Sequence, residues 1–175
     1  MKHANLILVG FMGAGKSATG RRVAARLGRR FVDMDAVIEA RAGRAIPEIF
    51  ACEGEAHFRK LERALVLELA GQRDLVIAAG GGVVLNPDNL RDFERTGLVV
   101  CLSAALETIL KRVGHHRNRP LLEGGDKEQR VRELLENRRA LYEAVARQVE
   151  TTDLTPDEVA ARVLALYGEA PEAPV

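Results

Sequence analysis

Short apolar runs alternate along this chain with longer segments whose apolar positions recur every three or four residues. Leu6-Ile7-Leu8-Val9, Leu75-Val76-Ile77-Ala78 and Leu98 to Leu102 are continuous apolar stretches, as expected of strands buried on both faces. Phe31-Val32 is a shorter strand ending in Asp33-Met34-Asp35, and Gln148 to Thr151 supplies a fifth. Between them, Ala18 to Leu27 predicts a helix with Val23, Ala24 and Leu27 apolar and Gly28 as its stop. Ala36 to Arg41 and Pro47 to Cys52 predict short helices, with Pro47 suited to a first turn. Phe58 to Ala70 predicts a longer helix carrying Phe58, Leu61, Leu65 and Leu69 on one face and ending at Gly71. Asn86-Pro87 opens another helix, and Ser103 to Val113 is helical. Asp126 caps the next helix with Gln129 at capping-box spacing, and Thr155-Pro156-Asp157-Glu158 is a second box with proline in the first turn. Strands alternating with helices predict a parallel sheet covered on both faces, a three-layer α/β/α sandwich. Residues 1–168 read as one domain, and 169–175 as a small, polar, frayed tail.

The turn after the first strand carries the sharpest chemical signal. Gly10 to Ser17 reads Gly-Phe-Met-Gly-Ala-Gly-Lys-Ser, fitting G-x-x-x-x-G-K-[ST] between a buried strand and a helix. Such a loop turns successive N–H groups onto phosphate oxygens at the positive end of a helix. Gly13, Ala14, Gly15, Lys16, Ser17 and Ala18 are therefore candidates to bind a nucleoside triphosphate, with Lys16 on the β- and γ-phosphates and Ser17 on Mg²⁺.

Composition removes several function classes. The 175 residues carry a formal charge of +1, without the basic bias expected of a nucleic-acid or membrane surface. Two cysteines, Cys52 and Cys101, are too few for a disulfide scaffold or a Cys-rich zinc site. No apolar run is long enough to span a bilayer and Met1 to Asn5 lacks the form of a signal peptide, so the cytoplasm is expected. A guanine-reading Asn-Lys-x-Asp segment is absent, and the third strand runs into Gly80-Gly81-Gly82 rather than an acid. Bare backbone at the carboxyl end of a buried strand lets a small ligand approach closely.

Asp33 and Asp35, two apart at a strand end, are expected to point to the same side, toward the phosphates. Arg59 opens the long helix behind Glu53-Gly54-Glu55, and Arg138 and Arg139 lie late in a charged helix where either could be a solvated residue. Gly114 to Gly125 is polar and basic, with His115, His116, Arg117 and Arg119 and no periodicity. It is expected to act as a mobile lid.

Taken together, these segments resemble shikimate kinase in order and spacing: the phosphate loop, Asp33-x-Asp35, Glu53-Gly54-Glu55-x-x-Phe58-Arg59, Gly80-Gly81-Gly82, Arg119-Pro120-Leu121-Leu122 and Arg138-x-x-Leu141-Tyr142. The resemblance runs roughly from Asn5 to Tyr167. It implies a five-stranded parallel sheet of order 2-3-1-4-5, a substrate-binding region around residues 35–62 and a lid around 113–125. It implies transfer of the γ-phosphoryl of ATP to the 3-hydroxyl of shikimate, in the route to chorismate and aromatic amino acids, by a monomer. The catalytic residues would be Lys16, Asp35 and Arg119, and the shikimate site Asp35, Arg59, Gly80, Gly81, Gly82 and Arg138. Asp33 would assist Mg²⁺ through water, Arg119 would reach ATP from the lid, and Arg112 and Pro156 would flank the adenine. Ala18 and Ala79 depart from threonines common in the family. A planar guanidinium fork pairs a carboxylate in a way lysine cannot copy, which suits Arg59 and Arg138 to a carboxylate clamp. The alternatives are a gluconate-kinase-like enzyme and a non-catalytic nucleotide-binding module.

Overall fold

The computed structural model describes residues 5–114 and 126–169. Its elements in chain order are β1 (Asn5–Val9), α1 (Lys16–Leu27), β2 (Arg30–Asp33), α2 (Met34–Ala42), α3 (Ile46–Ala70), β3 (Leu75–Ala78), a 3₁₀ turn (Val83–Leu85), α4 (Pro87–Glu94), β4 (Gly97–Ser103), α5 (Leu106–Gly114), α6 (Lys127–Glu143), β5 (Gln148–Glu150) and α7 (Pro156–Glu169). The sheet is parallel throughout, in the order β2-β3-β1-β4-β5 expected from the family resemblance. β1 is central, registering Leu6 with Val76 on one side and with Leu98 on the other.

Burial on both faces explains the continuous apolar strands. Ile7 and Val9 face one core layer with Val32, Ile77, Val99 and Cys101, under helices that include α3, α4 and α5. Leu6 and Leu8 face the other with Val76, Val100 and Leu102, where Val23 and Ala24 of α1 meet Val159, Ala160 and Val163 of α7. A fully buried strand has no polar face to show, so its alternation is invisible in hydropathy. All the apolar positions of β1 are fully buried.

Four local expectations are corrected. The segments Pro47–Cys52 and Phe58–Ala70 belong to one element, α3, bent at Gly54, whose φ of 83° and ψ of 167° lie outside the helical region. That positive φ favours glycine, and it turns the chain without ending the helical pattern on either side. The second strand stops at Asp33, which caps α2 by accepting the Ala36 N–H at 3.4 Å. Asp35 therefore sits in a first helical turn rather than on a strand, and strand alternation does not govern where it points. The helix expected from Ser103 begins at Leu106, because Ser103 continues the sheet opposite Glu150. At α6, Asp126 caps the N–H groups of Glu128 and Gln129, but the Gln129 side chain turns to Glu133 at 2.9 Å instead of closing a box. The Thr155–Glu158 box is reciprocal, with Thr155 N donating to Glu158 Oε2 at 2.7 Å and Glu158 N to Thr155 Oγ1 at 3.3 Å. Val113 and Gly114 close α5; the rest of the expected lid, Arg119 included, and residues 170–175 lie outside the described residues.

Asn5 ties the foot of the central strand to the connection before β3. Fully buried, its Nδ2 donates to Gln72 O at 2.8 Å and its Oδ1 accepts from Leu75 N at 3.0 Å. Asn5→Ala leaves those backbone groups without partners in an apolar layer and should cost about 2–3 kcal/mol. Urea unfolding checks this, with a lower midpoint and an unchanged slope expected.

Candidate active site

The carboxyl ends of β1, β2 and β3 open into a cavity of about 1050 Å³. Gly13 to Ala18, Asp33, Asp35, Arg59, Gly80 to Gly82, Arg112, Arg138 and Pro156 all line it. Every site residue expected from the sequence, apart from Arg119, thus borders one space. Open α/β sheets bind ligands in this position because loops and helix N-termini converge there.

At one end stands the phosphate loop. Gly10, Gly13 and Gly15 all take positive φ, and Gly15 sits at the N-cap of α1, where no side chain caps the helix. No acidic residue lies within the first turn of α1 itself, and its positive end borders the cavity. Lys16 Nζ donates to Gly10 O at 2.7 Å and Phe11 O at 3.0 Å, which folds the ammonium over the loop. Ser17 Oγ donates to Asp33 Oδ2 at 2.6 Å, joining the loop to the end of β2. Arg112, at the end of α5, donates to Gly13 O at 3.0 Å and to Thr151 O at 3.1 Å.

At the other end, charged groups converge on the glycines that follow β3. A side chain at Gly80 would begin 2.9 Å from both Asp35 Oδ1 and Glu62 Oε1, and one at Gly82 would overlap the Arg59 guanidinium. The glycine run is therefore a set of close approaches between bare backbone and ionic side chains. Arg59 Nη1 donates to Glu62 Oε2 at 2.9 Å, and its Nη2 to Glu55 Oε1 at 3.0 Å. Burial opposes the Arg59 charge, but Glu62 and Glu55 together outweigh it and hold its pKa above the usual value. Arg138 on α6 is 6% exposed and lines the cavity. Arg139 pairs with Glu136 on the exposed face, and this settles which of the two is the solvated arginine. Tyr142 donates to Gly81 O at 2.5 Å; burial pushes its phenol up to about 12, so it remains a donor. Ile46, Phe50, Phe58 and Met12 add an apolar wall, with Phe50 and Phe58 in ring contact at 5.0 Å.

Glu62 was not among the residues expected from sequence. It is 2% exposed, and its Oε1 is buried with no hydrogen-bond partner among the described residues. A signal for it exists: Phe58, Glu62, Leu65 and Leu69 follow helical spacing, so Glu62 is an acid placed within an apolar stripe. Burial pushes its pKa above the ordinary 4.5; Arg59 pulls it back, while the Asp35 charge pushes it further up. A carboxyl that holds its proton more tightly when folded favours the fold at low pH, and that contribution is lost as pH rises from 4.5 through the raised value. The unfolding free energy of the wild type should accordingly fall, relative to Glu62→Gln, as pH climbs through this window. Parallel denaturant titrations of the two proteins check it, and a wild type that gains stability relative to Glu62→Gln as pH rises would contradict it.

Comparisons with known proteins converge on one family. The shikimate kinase family model matches residues 12–167. The chain is 46% identical over 168 residues to the shikimate kinase of Halorhodospira halophila, covering 95% of each. It is 42% identical over 160 residues to that of Pelotomaculum thermopropionicum, covering 91% of this chain and 93% of the relative. Among solved structures, shikimate kinase from Acinetobacter baumannii in complex with shikimate superposes with a TM-score of 0.89 at 40% identity, covering 93% of this chain and 92% of the other.

Proposed function

This chain belongs to the shikimate kinase family, an ATP-dependent phosphotransferase with an alcohol acceptor, and from that membership we propose how its residues divide the reaction. The γ-phosphoryl of ATP passes to the 3-hydroxyl of shikimate, giving shikimate 3-phosphate and ADP. Membership of this family replaces the gluconate-kinase-like and non-catalytic readings.

One observation carries the division of roles: Arg59 and Asp35 meet the glycines after β3, and Arg138 lines the same cavity, which the phosphate loop also borders. Shikimate is a small ring bearing one carboxylate and several hydroxyls. Arg59 and Arg138 take the carboxylate, since two guanidinium forks on separate helices hold a planar anion in one orientation. Gly80, Gly81 and Gly82 let the ring settle against backbone. Asp35 then accepts a hydrogen bond from the attacking hydroxyl and aims its oxygen at the γ-phosphorus. The triphosphate lies along Gly13 to Ala18, with the N–H groups at the start of α1 directed at its oxygens. Arg112 and Pro156 border the space for the base.

Phosphoryl transfer needs positioning and charge neutralisation more than covalent chemistry, because its transition state is largely dissociative. Lys16 is the fixed cation of this chain for that purpose. Leaving Gly10 O and Phe11 O for a phosphate oxygen exchanges two neutral acceptors for an anionic one, which favours the bound form. Ser17 Oγ and Asp33 offer hard oxygens already in contact, a donor set that fits Mg²⁺. Among the described residues no group of three acidic, histidine or cysteine side chains could hold an ion by itself, which agrees with an ion shared with phosphates. When bound, Mg²⁺ supplies charge neutralisation at the β- and γ-phosphates. The further expectation that Arg119 reaches ATP lies outside the described residues. Among the described residues, no helix is long and apolar enough to cross a membrane.

Lys16→Ala should lower kcat by at least about 100-fold, the scale of losing one preorganised charge donor, with the fold intact. A coupled assay of ADP release with shikimate, beside circular dichroism, checks this.

Arg59→Ala and Arg138→Ala should each weaken shikimate binding by about 2–5 kcal/mol, with ATP affinity nearly unchanged. Arg59→Lys should recover only part of that loss, since a point charge lacks the fork. Calorimetric titration of each ligand into each variant is the measurement. Unchanged shikimate affinity in both alanine variants would place the clamp elsewhere.

A further inference from the structure

Beside the phosphate loop, at the border of the same cavity, two of its carbonyls are held by side chains of other elements, Thr151 and Arg112. Thr151 follows β5 and is 1% exposed. Its Oγ1 donates to Ala14 O at 3.1 Å and accepts from Arg112 Nη1 at 3.2 Å. The same Nη1 donates to Gly13 O at 3.0 Å, and Nη2 donates to Thr151 O at 3.1 Å. Thr151 N donates to Ser103 O at 2.8 Å, which fixes the residue to the end of β4. The result is a closed set of bonds joining the sheet, α5 and the loop, with Thr151 at its centre.

The consequence follows from peptide geometry. A trans peptide directs its C=O and N–H to opposite sides. Holding Ala14 O on Thr151 therefore turns the Gly15 N–H to the opposite side of the peptide, away from Thr151. The Gly13 carbonyl is held by Arg112, and its peptide's N–H, on Ala14, closes the turn onto Phe11 O at 3.2 Å. Gly13 and Gly15 flank Ala14, so this stretch has the most rotational freedom to lose when it grips an anion. Binding is strongest where that loss is already incurred in the free protein.

We infer that Thr151 is a positioning residue for the triphosphate: its hydroxyl fixes the Ala14–Gly15 peptide with the N–H directed at the phosphates, and Arg112 completes the hold. This rests on the reading that the loop binds the phosphates of ATP. Thr151 touches no reacting atom. Its effect is on the cost of organising the loop, so it belongs to nucleotide affinity and not to the acceptor half of the cavity.

The test titrates ATP and, separately, inorganic tripolyphosphate into the wild type, Thr151→Val, Thr151→Ser and Lys16→Ala, with shikimate as the control ligand. Valine keeps the volume and removes the hydroxyl. Thr151→Val should weaken ATP and tripolyphosphate by the same factor, about tenfold, the weight of one hydrogen bond. Thr151→Ser should stay within about twofold of the wild type, since the hydroxyl is retained. Shikimate affinity should not change, which general damage to the fold would not permit. In turnover, the KM for ATP should rise more than kcat falls. Loss of ATP affinity with tripolyphosphate unaffected would overturn the inference, because Thr151 would then act on the base. Unchanged affinity for both would overturn it as well. Where Thr151→Val does not fold, Arg112→Met removes the other half of the hold and must weaken tripolyphosphate for the inference to stand. Lys16→Ala separates the two levels: if it leaves tripolyphosphate binding intact, the phosphate reading of the loop fails, whereas a loss there beside no loss in Thr151→Val removes only the role of Thr151.

Discussion

A carboxyl group on α3, buried to 2% exposure against the glycines that follow β3, constrains much of what surrounds it. Glu62 has given up its hydration, and the hydrogen-bonded Arg59 guanidinium compensates it, with the Arg138 charge acting in the same direction. Removing one partner from such a pair costs about 3–5 kcal/mol, so the two side chains fix one another. Arg59 is in this way held with its fork against Gly82, and Glu62 against Gly80. A methyl group at either glycine would displace them. The bend at Gly54 lies five residues before Arg59 on the same helix and sets the direction in which the half bearing both residues runs. Kink, ion pair and glycine run are three parts of one requirement: to hold a cation in a nearly closed place so that it can meet an anion there.

The phosphate half of the cavity solves a different problem. Here the protein offers backbone dipoles, and backbone between glycines is easily misdirected. The structure steadies the loop. Lys16 crosses onto Gly10 O and Phe11 O, while Thr151 after β5 and Arg112 on α5 take Ala14 O and Gly13 O. The carbonyls are therefore engaged, leaving N–H groups to serve a ligand. The two halves share the floor formed by β1 and β3, which are buried on both faces and leave little room for one half to shift against the other.

Much of this was legible in the sequence, for physical reasons that can be named. Strands buried on both faces leave unbroken apolar runs, and β1, β3 and β4 appeared within a residue or so of their observed bounds. The phosphate loop is a local object, written in consecutive residues, so its position between strand and helix needed no tertiary knowledge. The Thr155–Glu158 box and the Asn86 cap are equally local, and both form as expected. Strand order was available only through the family resemblance, since no local pattern states which strands pair.

What the sequence determined by itself was the layered architecture and the triphosphate loop, because each is encoded by neighbours in the chain; the residues for a small carboxylate, spread from Arg59 to Arg138, were read through the family resemblance. Tertiary structure alone decided which arginine of the 138–139 pair is buried, since both lie on the same charged helix and only packing of α6 separates them. It moved Asp35 from a strand to a helix start, where the Asp33 cap outweighs strand alternation. It also placed Glu62 and Thr151. Thr151 acquires its role from Ala14, 137 residues away, and Glu62, although paired with Arg59 on its own helix, from being buried against Gly80. Contacts of that kind depend on distance in space, which hydropathy and spacing along the chain do not record.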